Sequence, residues 1–309
     1  MGENNQKPPS VLQKIVRVFF LYFKKLLAFI KRPAVRILIF VLIGLFTALY
    51  FANQYQDFLA AMETLEISTG RLVLALLLTA VAVTLGTVTW WALLAFLGHP
   101  RPWLATAKGY IHAALAKYIP GFIWHFAGRA YFSDEIKVPV KTTSIGFIIE
   151  LMVTALVGGT LTALLFIWIG HQFISQALLL KAAAGLIAAL LAVLIALFPR
   201  ILKDLLEKYF DTRLSLHNQH FYLAVLVNLL GWILMGLVFY LTLRALGIEA
   251  LSFIDALFFH CASFVAGTLA VPFPNGLLVR ETILILLGEG LLSQEIFILA
   301  SLLLRLLIL

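Results

Sequence analysis

Charge and cysteine are what this chain of 309 residues has least of. Only 12% of its residues are charged, where an ordinary soluble domain carries about 25%. Apolar runs recur along most of the length instead; 62% of residues are hydrophobic and the mean hydropathy is +1.02. This excludes a soluble domain and points to an all-α, polytopic helical membrane protein. The single cysteine, Cys261, excludes an intrachain disulfide and a cysteine-based metal cluster. No P-loop, GxGxxG or HExxH occurs, and no His/Glu set has metal-ligand spacing. The expectation is a protein without cofactor or metal that is not an enzyme and does not itself drive transport with ATP.

Basic charge is plentiful at one end only. Residues 1–36 hold Lys7, Lys14, Arg17, Lys24, Lys25, Lys31, Arg32 and Arg36 against Glu3, and the rest of the chain is nearly neutral. A basic block beside a first span is drawn to the anionic cytoplasmic leaflet, which predicts a plasma-membrane protein with its N-terminus inside. Nucleic acid is not the expected partner, because no folded basic domain is available to present a groove. Within 11–32 the basic residues fall roughly on one helical face among Val, Phe and Leu, as in a helix lying in the interface. The region is too long for the basic part of a cleaved signal peptide, and no small-residue cleavage site follows. Residues 1–34 are therefore read as a basic interfacial segment and 35–309 as one transmembrane domain.

Stretches 35–52, 71–97, 143–169, 173–197 and 220–246 suit spans of about 20 residues or more. Trp90, Trp91 and Trp103 cluster near one end, as interfacial aromatics do. Loop 53–70 carries Asp57, Glu63 and Glu66 without a basic residue, whereas loops 98–103, 129–142 and 198–219 carry Lys or Arg. With the basic loops inside, the apolar stretch 104–128 must enter and return on the cytoplasmic side. Its tip would be Pro120-Gly121. The same count makes 253–288 enter and return from outside, with its tip at VPFPNG, holding Pro274, Asn275 and Gly276. The halves 71–169 and 220–309 would then be inverted repeats with two re-entrant hairpins, a transporter architecture.

Charge inside such a domain is expensive, about 2.5–3.5 kcal/mol per residue at the bilayer centre, so it is expected to pair or to border a wet cavity. Arg129 with Glu150, and Glu281 with Arg305, are the expected pairs. They either lock the fold or serve a substrate. In the second case Arg129 and Arg280 face a central cavity and hold a lipid phosphate, whose oxygens match a planar guanidinium. Lys117 and Tyr118, beside the first tip, either touch the headgroup or snorkel. His112, His125 and His260 read as packed or interfacial, and Asn228 and Gly158-Gly159 as helix-packing residues.

KYIPGFIWHFAGR at 117–129, the glutamate of SIGFIIE, VPFPNGLLVRE and LLLRLL together resemble the transmembrane region of lysylphosphatidylglycerol synthases. Members of that family without the synthase domain are flippase-like membrane proteins. The resemblance runs from about residue 35 onward. At the second tip this chain has Pro274-Asn275-Gly276-Leu277-Leu278 where the family usually has more glycines before Arg-Glu. The resemblance implies a protein that translocates or presents a phospholipid or lipid-linked headgroup. The alternative is a non-transporting membrane partner of a lipid-modifying or glycosyltransferase enzyme. Membrane lipid, anionic or lipid-linked, is the expected partner, with a homo-oligomer or a lipid-modifying enzyme as further candidates.

Overall fold

Backbone groups that meet lipid must be satisfied within their own segment, and every regular element among the described residues is a helix. The computed structural model describes residues 67–115, 129, 133–169, 177–210, 216–270, 276, 278–288, 291–292 and 294–307. These all belong to the unit Phe58–Leu309. The interfacial segment 11–32, the span 35–52, the first tip with Lys117, Tyr118, Pro120 and Gly121, His125, and Pro274 and Asn275 of the second tip lie outside the described residues.

The helices are α1 (Thr69–Phe96), α2 (Trp103–Leu115), α3 (Val140–Ile169), α4 (Ala177–Phe210), α5 (Asn218–Ala245), α6 (Phe253–Leu269), α7 (Val279–Gly288) and α8 (Gln294–Leu307). Among the described residues, four segments are long and apolar enough to cross a membrane: α1, α3, Leu180–Asp204 of α4, and α5. The chain is a multi-pass membrane protein. α8, with 14 residues, reaches about 21 Å at 1.5 Å per residue, short of a full crossing.

Two expectations need correction. The loop 198–219 is largely helix, because α4 continues through Pro199 to Phe210. Proline removes one backbone donor but fits helical φ, and the Tyr222 hydroxyl donates to Ala196 O at 3.1 Å beside the break. Trp90 is not an interfacial anchor. It is buried, whereas Trp103 is exposed and Trp91 donates from Nε1 to Arg101 O at 2.8 Å.

The scaffold of the site is the antiparallel pair α1 and α5, each 28 residues long. The N–H of Ser68, just before α1, donates to Ala245 O at the end of α5 (2.8 Å), and the N–H of His217, just before α5, donates to Phe96 O at the end of α1 (3.0 Å). Both helices stop in the same way. Gly98 (φ 81°) and Gly247 (φ 75°) take the left-handed conformation that lacks a Cβ penalty. The next residues, His99 and Ile248, donate back to Leu94 O and Leu243 O, closing a Schellman motif each time. One shift in numbering carries Ser68 to His217, Phe96 to Ala245, Gly98 to Gly247 and Trp90 to Phe239.

Packing on this pair is aromatic and close. Phe221 stacks on Phe198 (5.3 Å, 5° between planes) and meets Phe96 at 5.3 Å. Phe239, Phe258, Phe259 and Phe297 form a second cluster around α6 and α8. Small residues let helices approach where lipid supplies no hydrophobic drive: a Cβ on Gly158 would stand 2.2 Å from Trp232 Cζ2. At the second tip Gly276 (φ +66°) crosses the α6 backbone so closely that its Cβ would lie 2.6 Å from Gly267 Cα. Close backbone packing there survives with few glycines, since the one at 276 occupies the crossing point.

Candidate functional site

Arg129 is buried, with 3% of its surface exposed. Its guanidinium lies between the rings of Trp90 on α1 (4.2 Å) and Tyr110 on α2 (4.1 Å). From Nη2 it donates to both oxygens of Glu150 on α3, at 3.0 and 3.2 Å. Its Nε and Nη1 have no hydrogen-bond partner among the described residues. Two ring faces and one carboxylate thus surround a cation that water does not reach. Cation–π contacts of this desolvated kind are worth about 2 kcal/mol or more. Gly86 makes the arrangement possible, because a Cβ there would stand 2.7 Å from the Tyr110 hydroxyl.

The second half carries its own cluster. Arg305 on α8 forms an ion pair with Glu281 on α7 at 2.9 Å, with a further hydrogen bond from its Nε at 3.0 Å. The Ser301 hydroxyl donates to the same carboxylate at 2.8 Å, and Arg305 also reaches Gly276 O at 3.4 Å. Arg280 is buried, its guanidinium 3.8 Å above the Phe264 ring. Gly267 leaves the room for it, since a Cβ there would approach Arg280 Cγ at 2.7 Å. Two guanidinium groups and one carboxylate therefore share this end of α7 and α8.

Between these clusters lies a cavity of about 200 Å³. Glu150 and Thr154 of α3, Thr89 of α1, Asn228 and Trp232 of α5, and His260 of α6 are on its wall. Asn228 organises that wall: its Nδ2 donates to Thr154 Oγ1 at 3.2 Å and its Oδ1 accepts from Trp232 Nε1 at 3.1 Å. The His260 ring packs against Trp232 (5.9 Å) and Phe264 (5.7 Å). His260 and Phe264 also line a smaller void of about 20 Å³ that borders Arg280, Ser301 and Arg305. The same two side chains therefore separate the polar cavity from the second cationic cluster.

Both ion pairs expected from the sequence form, each within its own half. Arg280 stays with Arg305 and Glu281, and does not reach Arg129. Glu150 borders the cavity, whereas Arg129 stands behind it as the group that holds the carboxylate. Sequence reasoning missed Trp90 and Tyr110 as the walls around Arg129, and Thr89, Thr154 and Trp232 as cavity residues. Only Asn228 gave a usable signal, as an amide in an apolar span, and its role extends past the helix packing assigned to it. Gly158 keeps that packing role, and Gly159 faces Leu191.

The family model described as the lysylphosphatidylglycerol synthase TM region matches residues 34–309. Comparison with curated proteins gives no match.

Proposed function

Because the chain belongs to the family of the lysylphosphatidylglycerol synthase transmembrane region, we propose that it is a flippase-like translocator that carries a lipid headgroup through its central cavity. The observation that carries this reading is a cavity with polar groups in its wall at the meeting of α1, α2, α3, α5 and α6, with a buried ion pair on one side and a cationic cluster on the other. A chain built only to pack in lipid gains little from such a void, because polar and charged groups inside a membrane are costly unless they serve a pathway. In this reading Glu150 meets the headgroup, Arg129 orients it, and Arg280 and Arg305 receive the phosphate.

The halves 71–169 and 220–309 then act as inverted repeats. The reciprocal caps of α1 and α5 and the matched Leu-Gly helix ends support that view. The short helices α6 and α7, which meet at Gly276 and Gly267, suit the two arms of one re-entrant hairpin. Rocking of the halves about the α1–α5 pair would alternate access in a plasma-membrane protein with a cytoplasmic N-terminus, acting on lipid rather than modifying it.

The test is headgroup translocation by purified protein in proteoliposomes, read as fluorescent phospholipid that becomes accessible to a membrane-impermeant quencher. Arg280→Gln should abolish it while eluting and melting as folded protein, and Glu150→Gln should abolish it at a measurable cost in stability. Wild-type rates in both variants, or no translocation by the unaltered protein, would overturn the proposal.

A further inference from the structure

The cavity wall indicates what kind of headgroup fits. Its one carboxyl side chain, Glu150, is already engaged, because Arg129 donates to both of its oxygens from behind the wall. An ammonium group entering the cavity would compete with a fixed guanidinium for the same carboxylate and lose its water in doing so. The other polar groups, set in a largely apolar wall, are the Asn228 amide, the hydroxyls of Tyr110, Thr154 and Thr89, and the His260 ring.

Thr89 is the informative residue. Ten other helical threonines, at 79, 84, 87, 106, 143, 160, 162, 242, 268 and 282, each donate their hydroxyl to a carbonyl one turn back. In an apolar span that is the ordinary way to satisfy the group. Thr89 is 2% exposed, and its Oγ1 has no hydrogen-bond partner among the described residues. A buried hydroxyl left without a partner is costly. Threonine has two χ1 wells open to it in a helix, so a rotation about χ1 offers the Thr89 hydroxyl a second direction in a residue that lines the cavity.

Resting on the reading of this cavity as a lipid-headgroup site, we infer that it selects an uncharged, hydroxyl-bearing headgroup, such as a polyol or sugar joined through phosphate, over an amine. A hydroxyl can both donate to Glu150 and accept from Asn228 or Thr89, so each partner is satisfied by one kind of group. An ammonium only donates and leaves the amide and hydroxyl donors of the wall without an acceptor. The apolar face of Trp232, fixed by its bond to Asn228, suits the C–H side of a polyol ring.

Binding of phosphatidylinositol, phosphatidylethanolamine and phosphatidic acid with identical acyl chains, measured on the purified full chain, tests this. Phosphatidylinositol should bind at least about tenfold tighter than either of the others, a preference of the size a few added hydrogen bonds supply. Thr89→Val should weaken phosphatidylinositol about fivefold, the worth of one hydrogen bond, leave phosphatidic acid unchanged, and not lower the melting temperature. Equal binding of phosphatidic acid, tighter binding of phosphatidylethanolamine, or an unaffected Thr89→Val variant would overturn the inference. Translocation that persists under any of those results would leave the transport reading standing. Loss of translocation together with binding of none of the three lipids would remove both.

Discussion

Removing both members of the Arg129–Glu150 pair should harm the fold less than removing one. The pair is desolvated, with side-chain exposures of 2% and 12% at 3.0 Å. Breaking a buried pair from one side costs about 3–5 kcal/mol, because a buried charge is left uncompensated. Glu150→Leu would strand a guanidinium with only the Trp90 and Tyr110 rings to face. Arg129→Met would strand a carboxylate on the cavity wall and also give up those two ring contacts. If the side chains acted separately, the double variant would lose about 6–10 kcal/mol, the sum of the two, which rivals the total stability of most domains. If they act as one desolvated unit, the double variant has no stranded charge, and apolar replacements of similar volume are close to neutral. The double variant should then exceed the weaker single variant by about 2 kcal/mol or more, within the range of measured couplings. Equilibrium unfolding in mixed detergent micelles, followed by tryptophan fluorescence with Trp90 beside the site, reads these values. A double variant less stable than both singles by a further 3 kcal/mol, roughly the additive result, would refute the reasoning. The same double variant should fold yet fail to translocate lipid, which separates the pair's two contributions.

Two further outcomes follow from close approaches in the backbone. Gly158→Ala would press a methyl to within 2.2 Å of Trp232, so it should cost about 1–3 kcal/mol by overpacking and, by shifting the Trp232–Asn228 bond, weaken headgroup binding in the same preparation. At the second tip Gly276→Ala should lower the melting temperature through both its positive φ and its contact with Gly267. Leu278→Gly should raise it by relieving a left-handed leucine (φ 68°), a conformation that costs about 1–2 kcal/mol outside glycine. The opposite order of those two variants in a thermal unfolding series would count against strain at this turn.

Much of the fold is legible in the chain. Low charge and apolar runs of membrane length require helices, because lipid offers the backbone no other partner. Their places at 71–97, 143–169 and 220–246 agree with α1, α3 and α5 to within a few residues. The Leu-Gly pairs at 97–98 and 246–247 mark helix ends by local stereochemistry alone. Scarcity also made the ion pairs legible: with so few intramembrane charges, Arg129 and Glu150, or Glu281 and Arg305, have little choice of partner. What a linear pattern cannot carry is which side of a helix meets which neighbour. Trp90 reads as an interfacial aromatic by its place near a span end, and becomes the roof over Arg129 only once α1, α2 and α3 converge. The stretch after Pro199 reads as a loop, yet α4 continues through it to Phe210, because the fixed φ of proline is compatible with helical backbone.

By itself, then, the sequence determined the class of the protein, the rough bounds of the long helices among the described residues, and the inventory of charges that had to be neutralised, because solvation by lipid acts on each segment separately. Only the tertiary structure decided that Arg129 stands behind the wall and Glu150 on it, that Asn228 ties Thr154 to Trp232, and that Thr89 keeps a buried hydroxyl without a partner among the described residues. Those are properties of a space lined by five helices, and such a space has no counterpart in any one of them.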